Sequence, residues 1–131
     1  MPITLDSDRQ YPLAAMVRFK FSDFVSGAYT PAVELPPDAV VTGGHIMFET
    51  LFNGETSDTF TIGDAAVGNR YKAAINAKTT AYTALVPTGL QYTSTKTVGL
   101  TWTGVGTAPT QGAGYLYVEY IREGRSLENQ G

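Results

Sequence analysis

The sequence predicts an all-β protein, a single-domain antiparallel β-sandwich that is jelly-roll-like and has about eight strands. Apolar and polar residues alternate over many short stretches, as expected when successive side chains leave opposite faces of a strand. Fourteen glycines, seven prolines and abundant threonine fit short strands joined by tight turns. A chain of 131 residues without cysteine fits one domain that buries its core without disulfides.

The first predicted strands follow an extended segment. Residues 1–14 are mixed in character and are predicted to form an extended N-terminal arm, which is either a frayed terminus or a segment that docks on a neighbour. Residues 16–21 alternate cleanly, with apolar side chains on one face and Arg18 and Lys20 on the other. Residues 31–35 form a short strand, which ends at two prolines because proline has no N–H to donate to a ladder.

The longest β stretch covers residues 39–52 and carries apolar side chains on both faces, which indicates a central strand. Gly43-Gly44 interrupts it and predicts a bulge or a sharp bend. Asn53-Gly54 is the strongest two-residue turn signal in the chain, since both positions of a type I′ turn need positive φ. Residues 50–62 are therefore predicted to be a hairpin.

The next part of the chain contains the one helix signal. The side chain of Asn69 can accept a hydrogen bond from an unpaired amide, so Asn69 is predicted to cap a short helix over residues 70–78. Residues 81–86 are predicted to be another strand. The turn at residues 87–89 then leads to a short β stretch at residues 90–92.

The end of the chain is predicted to be a long hairpin over residues 96–122. Residues 97–103 alternate strictly, with Val98, Leu100 and Trp102 on one side, and residues 115–121 return as a second β-rich run. Polar residues 123–131 are predicted to be a surface tail. No repeat or linker is visible, so residues 1–131 are predicted to be one domain with an arm and a tail.

The sequence offers no catalytic, cofactor or metal site. His45 is the only histidine and there is no cysteine, so three or four clustered zinc ligands cannot be assembled. His45 is expected on a solvated or subunit-facing strand surface. Asp58 and Asp64 bracket a strand and are predicted to cap turns, since the calcium-loop pattern is missing. We therefore predict a protein that is not an enzyme and needs no cofactor.

Charge and hydropathy argue against two classes of partner. Nine basic and twelve acidic residues give a net charge of −3, whereas a nucleic-acid binder needs a concentrated positive face. No apolar run approaches the roughly 20 residues that span a bilayer. The first residues lack a basic start and an apolar core, so no secretion signal is expected.

Aromatic residues suggest an interface. Eight tyrosines, six phenylalanines and one tryptophan are many for this length. Tyrosine supplies contact area and a hydrogen-bonding tip, which suits a protein–protein interface, while stacking on single-stranded nucleic acid would need basic neighbours. A carbohydrate platform stays open as an alternative. The predicted interface residues are Ile3, Leu5, Tyr11 and Leu13 in the arm, and Tyr115 and Tyr117 in the last strand.

Three segments carry a resemblance to a known family. They are residues 35–44 (LPPDAVVTGG), residues 53–64 (NGETSDTFTIGD) continuing to residues 69–71, and residues 84–89 (ALVPTG) together with residues 112–120 (GAGYLYVEY). Over roughly residues 16–122 the chain resembles the jelly-roll cement (decoration) proteins of tailed bacteriophages, mainly short-tailed ones. These segments are turns and strands, so they specify the fold better than the role.

The resemblance implies a non-enzymatic virion protein on the capsid exterior. Its expected partner is the major capsid protein, whose neighbouring subunits it would clamp. The expected state is a homo-oligomer, with a dimer favoured, and no nucleic acid or membrane is expected as a partner. The alternative function is a carbohydrate- or receptor-binding β-sandwich module of a phage tail or fibre, because jelly rolls often serve that role and aromatic rings stack on sugars.

Overall fold

A computed structural model of the protein describes residues 10–123, so residues 1–9 of the predicted arm and 124–131 of the predicted tail lie outside it. The described part contains eight strands and one short 3₁₀ helix, Phe21–Asp23. The strands are β1 (Leu13–Lys20), β2 (Tyr29–Leu35), β3 (Ala39–Thr50), β4 (Ser57–Gly63), β5 (Lys72–Asn76), β6 (Tyr82–Ala84), β7 (Lys96–Val105) and β8 (Ala113–Arg122).

The strands form two four-stranded antiparallel sheets. The first sheet has the order β1-β8-β3-β6 and the second has the order β2-β7-β4-β5. The chain pairs β1 with β8, β2 with β7, β3 with β6, and β4 with β5, like one long hairpin wrapped around a core. The predicted all-β sandwich is confirmed, and this strand order is that of a jelly roll.

The two predicted hairpins are wrong. β7 belongs to the second sheet and β8 to the first, so residues 96–122 cross the sandwich instead of pairing with each other. Residues 50–62 likewise pass from β3 in the first sheet to β4 in the second. Alternation correctly predicts which side chains are buried, but it does not predict which strands pair. Two strands bury their apolar faces equally well whether they pair within one sheet or lie in opposite sheets across the core.

The type I′ turn predicted at Asn53-Gly54 is wrong, and Gly54 instead contacts the side chain of Asp58. Neither residue adopts a positive φ, so no type I′ turn forms. The Gly54 N–H instead donates to Asp58 Oδ2 at 2.7 Å, and a Cβ at Gly54 would lie 2.4 Å from that oxygen. Glycine is needed here for close approach to a buried carboxylate.

The helix predicted over residues 70–78 is also wrong, because this segment contains the edge strand β5. Ile75 is buried opposite Phe60 of β4, and this pairing outweighs a weak helical propensity. Ala74 has a φ of +59°, which kinks the strand. Asn69, the predicted helix cap, lies in a turn before β5. The Asn76 side chain accepts the Lys78 N–H at 3.0 Å, where the strand ends.

The bulge predicted at Gly43-Gly44 is confirmed. The register between β3 and β8 shifts between Val41 and Gly43, and Gly44 has a φ of +136°. A Cβ at Gly44 would lie 2.1 Å from the Tyr117 carbonyl oxygen, so a larger residue cannot be placed there without a backbone shift.

The first strand begins earlier than the alternation predicts. β1 starts at Leu13, so Leu13 and Ala14 belong to the β body and not to the arm, whereas Phe21 begins the 3₁₀ helix. Between the sheets lies one core, built mainly from phenylalanine and branched aliphatic side chains. Its fully buried members include Phe48, Phe60, Leu35, Ile46, Ile62, Leu100, Leu116, Val41, Val98 and Val118.

A candidate protein-binding face

The outer side of the first sheet carries large side chains in register. On β8, Leu116 and Val118 point into the core, so Tyr115 and Tyr117 point outward. Cross-strand pairing aligns them with residues of the neighbouring strands in two rows. We call this surface the aromatic face; its residues are Met16, Tyr117 and His45 in one row, and Arg18, Tyr115, Met47 and Tyr82 in the next.

His45 lies at the centre of the aromatic face. Its ring is flanked by Tyr82 at 4.9 Å and Tyr117 at 5.2 Å between centroids, with interplanar angles of 34° and 35°. Tyr115 meets it edge-on at 5.5 Å, and the Tyr115 hydroxyl lies 3.2 Å from His45 Nε2. The expectation that His45 lies on an outer strand surface is confirmed, since its strand neighbour Ile46 is the one that points into the core.

Charged side chains lie at the border of the aromatic face. Arg18 forms an ion pair with Glu49, and its guanidinium lies 5.7 Å from the centroid of the Tyr115 ring. The Tyr117 hydroxyl donates to Glu119 Oε1 at 2.8 Å. This hydrogen bond to a carboxylate raises the pKa of the Tyr117 hydroxyl above its ordinary value. Tyr115 and Tyr117 thus each contact a charged side chain at the border of the aromatic face.

The aromatic face is open to solvent at both sides. Met16 on the edge strand β1 is 51% exposed, and Tyr82 on the edge strand β6 is 56% exposed. Large apolar side chains clustered on one sheet face are typical of a binding surface. The aromatic face therefore combines apolar area with hydroxyl groups, which is the composition of a protein interface core.

The outer side of the second sheet is different in kind. Its central strands β4 and β7 present threonines to solvent, which we call the threonine face: Thr59, Thr61, Thr97, Thr101 and Thr103. Tyr29 of β2 pairs with Thr101, and its hydroxyl lies 3.1 Å from the backbone carbonyl oxygen and 2.9 Å from the side-chain oxygen of Thr97.

The inner side of the second sheet holds two carboxylates. Asp58 is 1% exposed and accepts hydrogen bonds from the Gly54 N–H at 2.7 Å and from Trp102 Nε1 at 3.0 Å. It therefore ties the β3–β4 connection to the centre of β7. The prediction that Asp58 caps a turn is confirmed, and the structure adds its bond to Trp102.

Asp64 organises the loop after β4. It accepts the backbone N–H groups of Ala66 and Val67 at 3.1 and 2.7 Å, which confirms its predicted capping role. It also accepts Arg70 Nε at 2.5 Å and the Tyr92 hydroxyl at 2.9 Å. Burial acts to raise the pKa of the Asp64 carboxyl, but these hydrogen bonds and the charge of Arg70 outweigh it, so the pKa is lowered.

Two tyrosines complete this buried network. The hydroxyls of Tyr71 and Tyr92 lie 2.5 Å apart, and burial raises the pKa of both. For Tyr92, the hydrogen bonds with Tyr71 and Asp64 raise the pKa further. Both tyrosines are therefore neutral hydrogen-bonding groups that join the β4–β5 loop to the segment before β7.

The network borders an open cavity of about 720 Å³, lined by Asp64, Arg70, Gln91, Lys96 and nearby threonines. Asp64 neutralises Arg70 there, so the cavity presents no cluster of like charges. Residues 10–123 contain no group of three or more histidine, cysteine, aspartate or glutamate residues that could hold a metal ion. In the same range no helix is long and apolar enough to cross a membrane.

The structure brings two of the predicted interface residues together. Tyr115 and Tyr117 both lie on the aromatic face, on either side of His45. Tyr11 is 75% exposed just before β1, whereas Leu13 is half-buried in the row of β1 that faces the core. Ile3 and Leu5 lie outside the described residues.

Sequence reasoning missed Met16, Met47 and Tyr82 as members of the aromatic face. For Met16 the signal was available, because it alternates with the inward residues Ala15 and Val17. Met47 and Tyr82 depend on the pairing of β3 with β6, which no local pattern reveals.

The chain is similar in structure to chains of three solved phage capsids. One similar chain is from the acidic stable capsid structure of Helicobacter pylori bacteriophage KHP30, with a TM-score of 0.68, 20% identity, and coverage of 85% of this chain and 87% of that one. A chain of the cyanophage Pam1 capsid has a TM-score of 0.64 and 19% identity, with coverage of 92% of this chain and 98% of that one. A chain of the Ralstonia phage GP4 capsid has a TM-score of 0.66 and 16% identity, with coverage of 95% of this chain and 92% of that one.

No protein-family model matches the chain, and no curated protein matches it in sequence. The three structural likenesses are all below 25% identity, so what they establish is a shared fold. That fold extends over nearly the full length of each chain compared.

Proposed function

We propose that this chain is a non-enzymatic structural protein of a phage virion, which binds the outside of the capsid as a homodimer and staples neighbouring major capsid subunits. The observation that carries the proposal is the fold shared with chains of three phage capsid structures over 85%, 92% and 95% of this chain. The three sequence segments that resemble capsid cement proteins support the same conclusion.

The aromatic face is the surface we assign to the major capsid protein. The hydroxyls of Tyr115 and Tyr117 are hydrogen-bonded to His45 and Glu119, which reduces the side-chain freedom that these two tyrosines lose on binding. Tyrosine contributes apolar area together with a hydroxyl, and such residues are frequent hot spots of protein interfaces.

Ring geometry favours a protein partner over a sugar. A sugar or a base needs an open ring face on which to stack. Tyr82 and Tyr117 both lie against the His45 ring, at interplanar angles of 34° and 35°. These contacts reduce the ring area that is open for stacking, while the tyrosine hydroxyls supply groups that a protein surface can contact.

The charge of the chain agrees with a site on the outside of the shell. The net charge of −3 disfavours contact with packaged DNA, whose phosphates attract basic surfaces. A mildly acidic protein is better placed on the exterior, where it meets solvent and capsid protein.

Binding to empty shells tests the proposal. The purified chain would be mixed with DNA-free shells assembled from the major capsid protein of the same genome, then followed by co-sedimentation and electron microscopy. We expect density on the outer surface, bridging adjacent subunits. Failure to bind, or labelling at the tail of intact particles, would refute the proposal, and binding on a glycan array would favour the receptor-binding alternative.

Matched variants locate the contact surface. Tyr115→Ala with Tyr117→Ala removes two rings from the aromatic face, and we expect it to weaken binding. Thr101→Ala with Thr103→Ala makes two changes on the threonine face, and we expect binding to stay as in the wild type. The reverse outcome would assign the shell contact to the second sheet.

A further inference from the structure

The two sheets have four edges, and three of them are poorly suited to pairing with another strand. β6 has three residues. β2 contains Pro31 and a register shift between Pro31 and Val33. β5 has five residues, a register shift in its partner β4, and Ala74 at a φ of +59°. Short strands, proline, bulges and charged side chains are devices that block edge-to-edge association.

The fourth edge, β1, is neither short nor broken by proline or a bulge, and its two charged residues, Arg18 and Lys20, lie near its C-terminal end. It runs for eight residues and pairs with β8 in continuous register from Leu13 to Lys20. It contains no proline, and within residues 10–123 its other edge pairs with no strand. A long, regular and largely apolar edge presents a row of N–H and C=O groups to which another strand can add.

We propose that β1 pairs antiparallel with β1 of a second copy of this chain, so that the two first sheets become one eight-stranded sheet. The inference specifies the homodimer that is part of the proposed function. Its support is the edge geometry alone, so it can be tested without a capsid.

The side chains of β1 select the direction and register of this pairing. Parallel pairing would place Arg18 and Lys20 beside their own copies, and like charges on neighbouring strands repel. Antiparallel pairing with the two-fold axis at Met16 places Arg18 opposite Ala14. Facing residues must point to the same side, and this register satisfies that rule because it pairs only even with even and odd with odd positions.

The same register continues both faces of the sheet. On the outer side the half-exposed Met16 meets its own copy at the axis and becomes covered. On the inner side Ala15 faces Val17, and Leu13 faces Phe19, so apolar residues meet apolar residues. A register centred on Val17 instead would make the two Arg18 side chains diagonal neighbours, about 7–8 Å apart.

The described chain before β1 does not occupy this edge. The Gln10 side chain spans the end of β8, where its Nε2 donates to the Arg122 carbonyl at 2.8 Å and its Oε1 accepts the Arg122 N–H at 3.1 Å. Gln10 is therefore engaged on the β8 side of β1, opposite to the unpaired edge.

The proposed dimer explains how one small protein can hold two capsid subunits. A two-fold axis perpendicular to the joined sheet leaves both aromatic faces on the same side. His45 of each copy lies two strands from β1. The two histidines would then be five strand spacings apart, roughly 24 Å at about 4.8 Å per spacing. Two linked sites bind a shell more tightly than one, because the second contact is intramolecular.

Single cysteines test the pairing, since the chain has no cysteine of its own. M16C places two thiols across the two-fold axis. A84C places one on the other edge of the same sheet, at an exposed position of β6, and is the matched control. At about 10 µM protein under mild oxidation, we expect M16C to form a covalent dimer roughly 100-fold faster than A84C, because the effective concentration at the axis is in the millimolar range.

A mixture tests the register. A14C and R18C face each other only in antiparallel pairs centred on Met16, so the two variants mixed are expected to cross-link while neither does so alone. Identical positions would lie about 13 Å apart along the strand, beyond the reach of a disulfide. Wild-type protein is expected to sediment as a dimer.

Each of three results would overturn the inference: a wild-type monomer, equal rates for M16C and A84C, or no cross-linking in the A14C and R18C mixture. These outcomes are separate from those of the proposed function. A dimer that does not bind shells would refute the capsid role and leave the pairing intact, and a monomer that binds shells would do the opposite.

Discussion

The two sheets of this protein place their specialised side chains on opposite sides. The first sheet is apolar inside and carries histidine, tyrosine and methionine outside. The second sheet carries threonine outside, and its polar chemistry is internal, where Asp58 is bonded to Trp102 and Asp64 to Arg70. The same sandwich therefore has one sheet whose distinctive residues face outward and one whose distinctive residues face the core.

This difference separates recognition from stability. Inside the second sheet, a buried carboxylate without its donors would cost free energy, so its bonds are part of the folding balance. Outside the first sheet, the tyrosines of the aromatic face can be replaced without opening the core. Substitutions in the second sheet should therefore change the free energy of unfolding, and those on the aromatic face should change binding.

The largest expected effect is on Trp102. Trp102→Ala should lower the free energy of unfolding by about 3–5 kcal/mol, because it removes a buried ring and also a donor to Asp58. Urea unfolding followed by circular dichroism measures it. Trp102→Phe keeps most of the apolar area and should cost less, which separates packing from the hydrogen bond. A loss below about 1 kcal/mol for Trp102→Ala would show that the ring does not support the core.

The second effect concerns the aromatic face. Tyr115→Ala with Tyr117→Ala should cost roughly 2–4 kcal/mol of binding to shells, which is about 30-fold or more in Kd. Titration of shells with labelled protein measures this, and thermal unfolding of the free variant provides the control. Unchanged affinity would break the division between a binding sheet and a stabilising sheet.

Much of this division could be predicted from the sequence, because alternation fixes the side of each residue. Val98, Leu100 and Trp102 share one side as the alternation predicts, and that side is buried; the predicted interface residues Tyr115 and Tyr117 share the outer side of β8. The capping roles of Asp58 and Asp64 also followed from their places at the two ends of one strand. These features depend on a strand's own period and on its local turns.

What could not be predicted depends on contacts between distant segments. The aromatic face exists because β8 lies between β1 and β3, and β3 lies beside β6. Pairing of consecutive strands is the ordinary expectation. In the described jelly roll only β4 and β5 are both consecutive and paired, so the two predicted hairpins failed. The bond between Trp102 and Asp58 likewise joins residues 44 positions apart.

The third effect isolates the buried carboxylate of the second sheet. Asp58→Ala leaves Trp102 Nε1 and the Gly54 N–H without an acceptor, and we expect a loss of about 1–3 kcal/mol in the free energy of unfolding. Thr59→Ala, next in sequence but on the threonine face, is the matched control and should cost less. Equal losses would mean that strand propensity, and not the buried bond, determines the result.

A fourth effect appears in acid. The pKa of the Asp64 carboxyl is lowered by folding, so the unfolded chain binds this proton near the ordinary value of about 3.9 and the folded chain binds it only at lower pH. The stability that Asp64 contributes is therefore complete above that value and is lost as the pH falls below it. Melting temperatures measured from pH 6 to pH 2.5 should decline less steeply for Asp64→Asn than for the wild type.

The variant Arg70→Leu checks the cause of this acid effect. Arg70 donates to Asp64 and supplies the nearby positive charge, so its removal should raise the pKa of Asp64 toward the ordinary range. The decline in acid should then become shallower, as for Asp64→Asn. A decline that is unchanged in both variants would show that other carboxyls govern the loss of stability in acid.

The smallest effect is expected on the threonine face. Thr103 is exposed at the outer side of β7, so Thr103→Lys should change the free energy of unfolding by less than about 0.5 kcal/mol. Binding to shells should also be unchanged, because in the proposed assembly this side of the sandwich faces away from the major capsid protein. Co-sedimentation of shells with Thr103→Lys and, in parallel, with the tyrosine double variant compares the contribution of each sheet to shell binding. Loss of binding for Thr103→Lys alone would mean that the threonine face meets the shell, and the roles of the two sheets would be reversed.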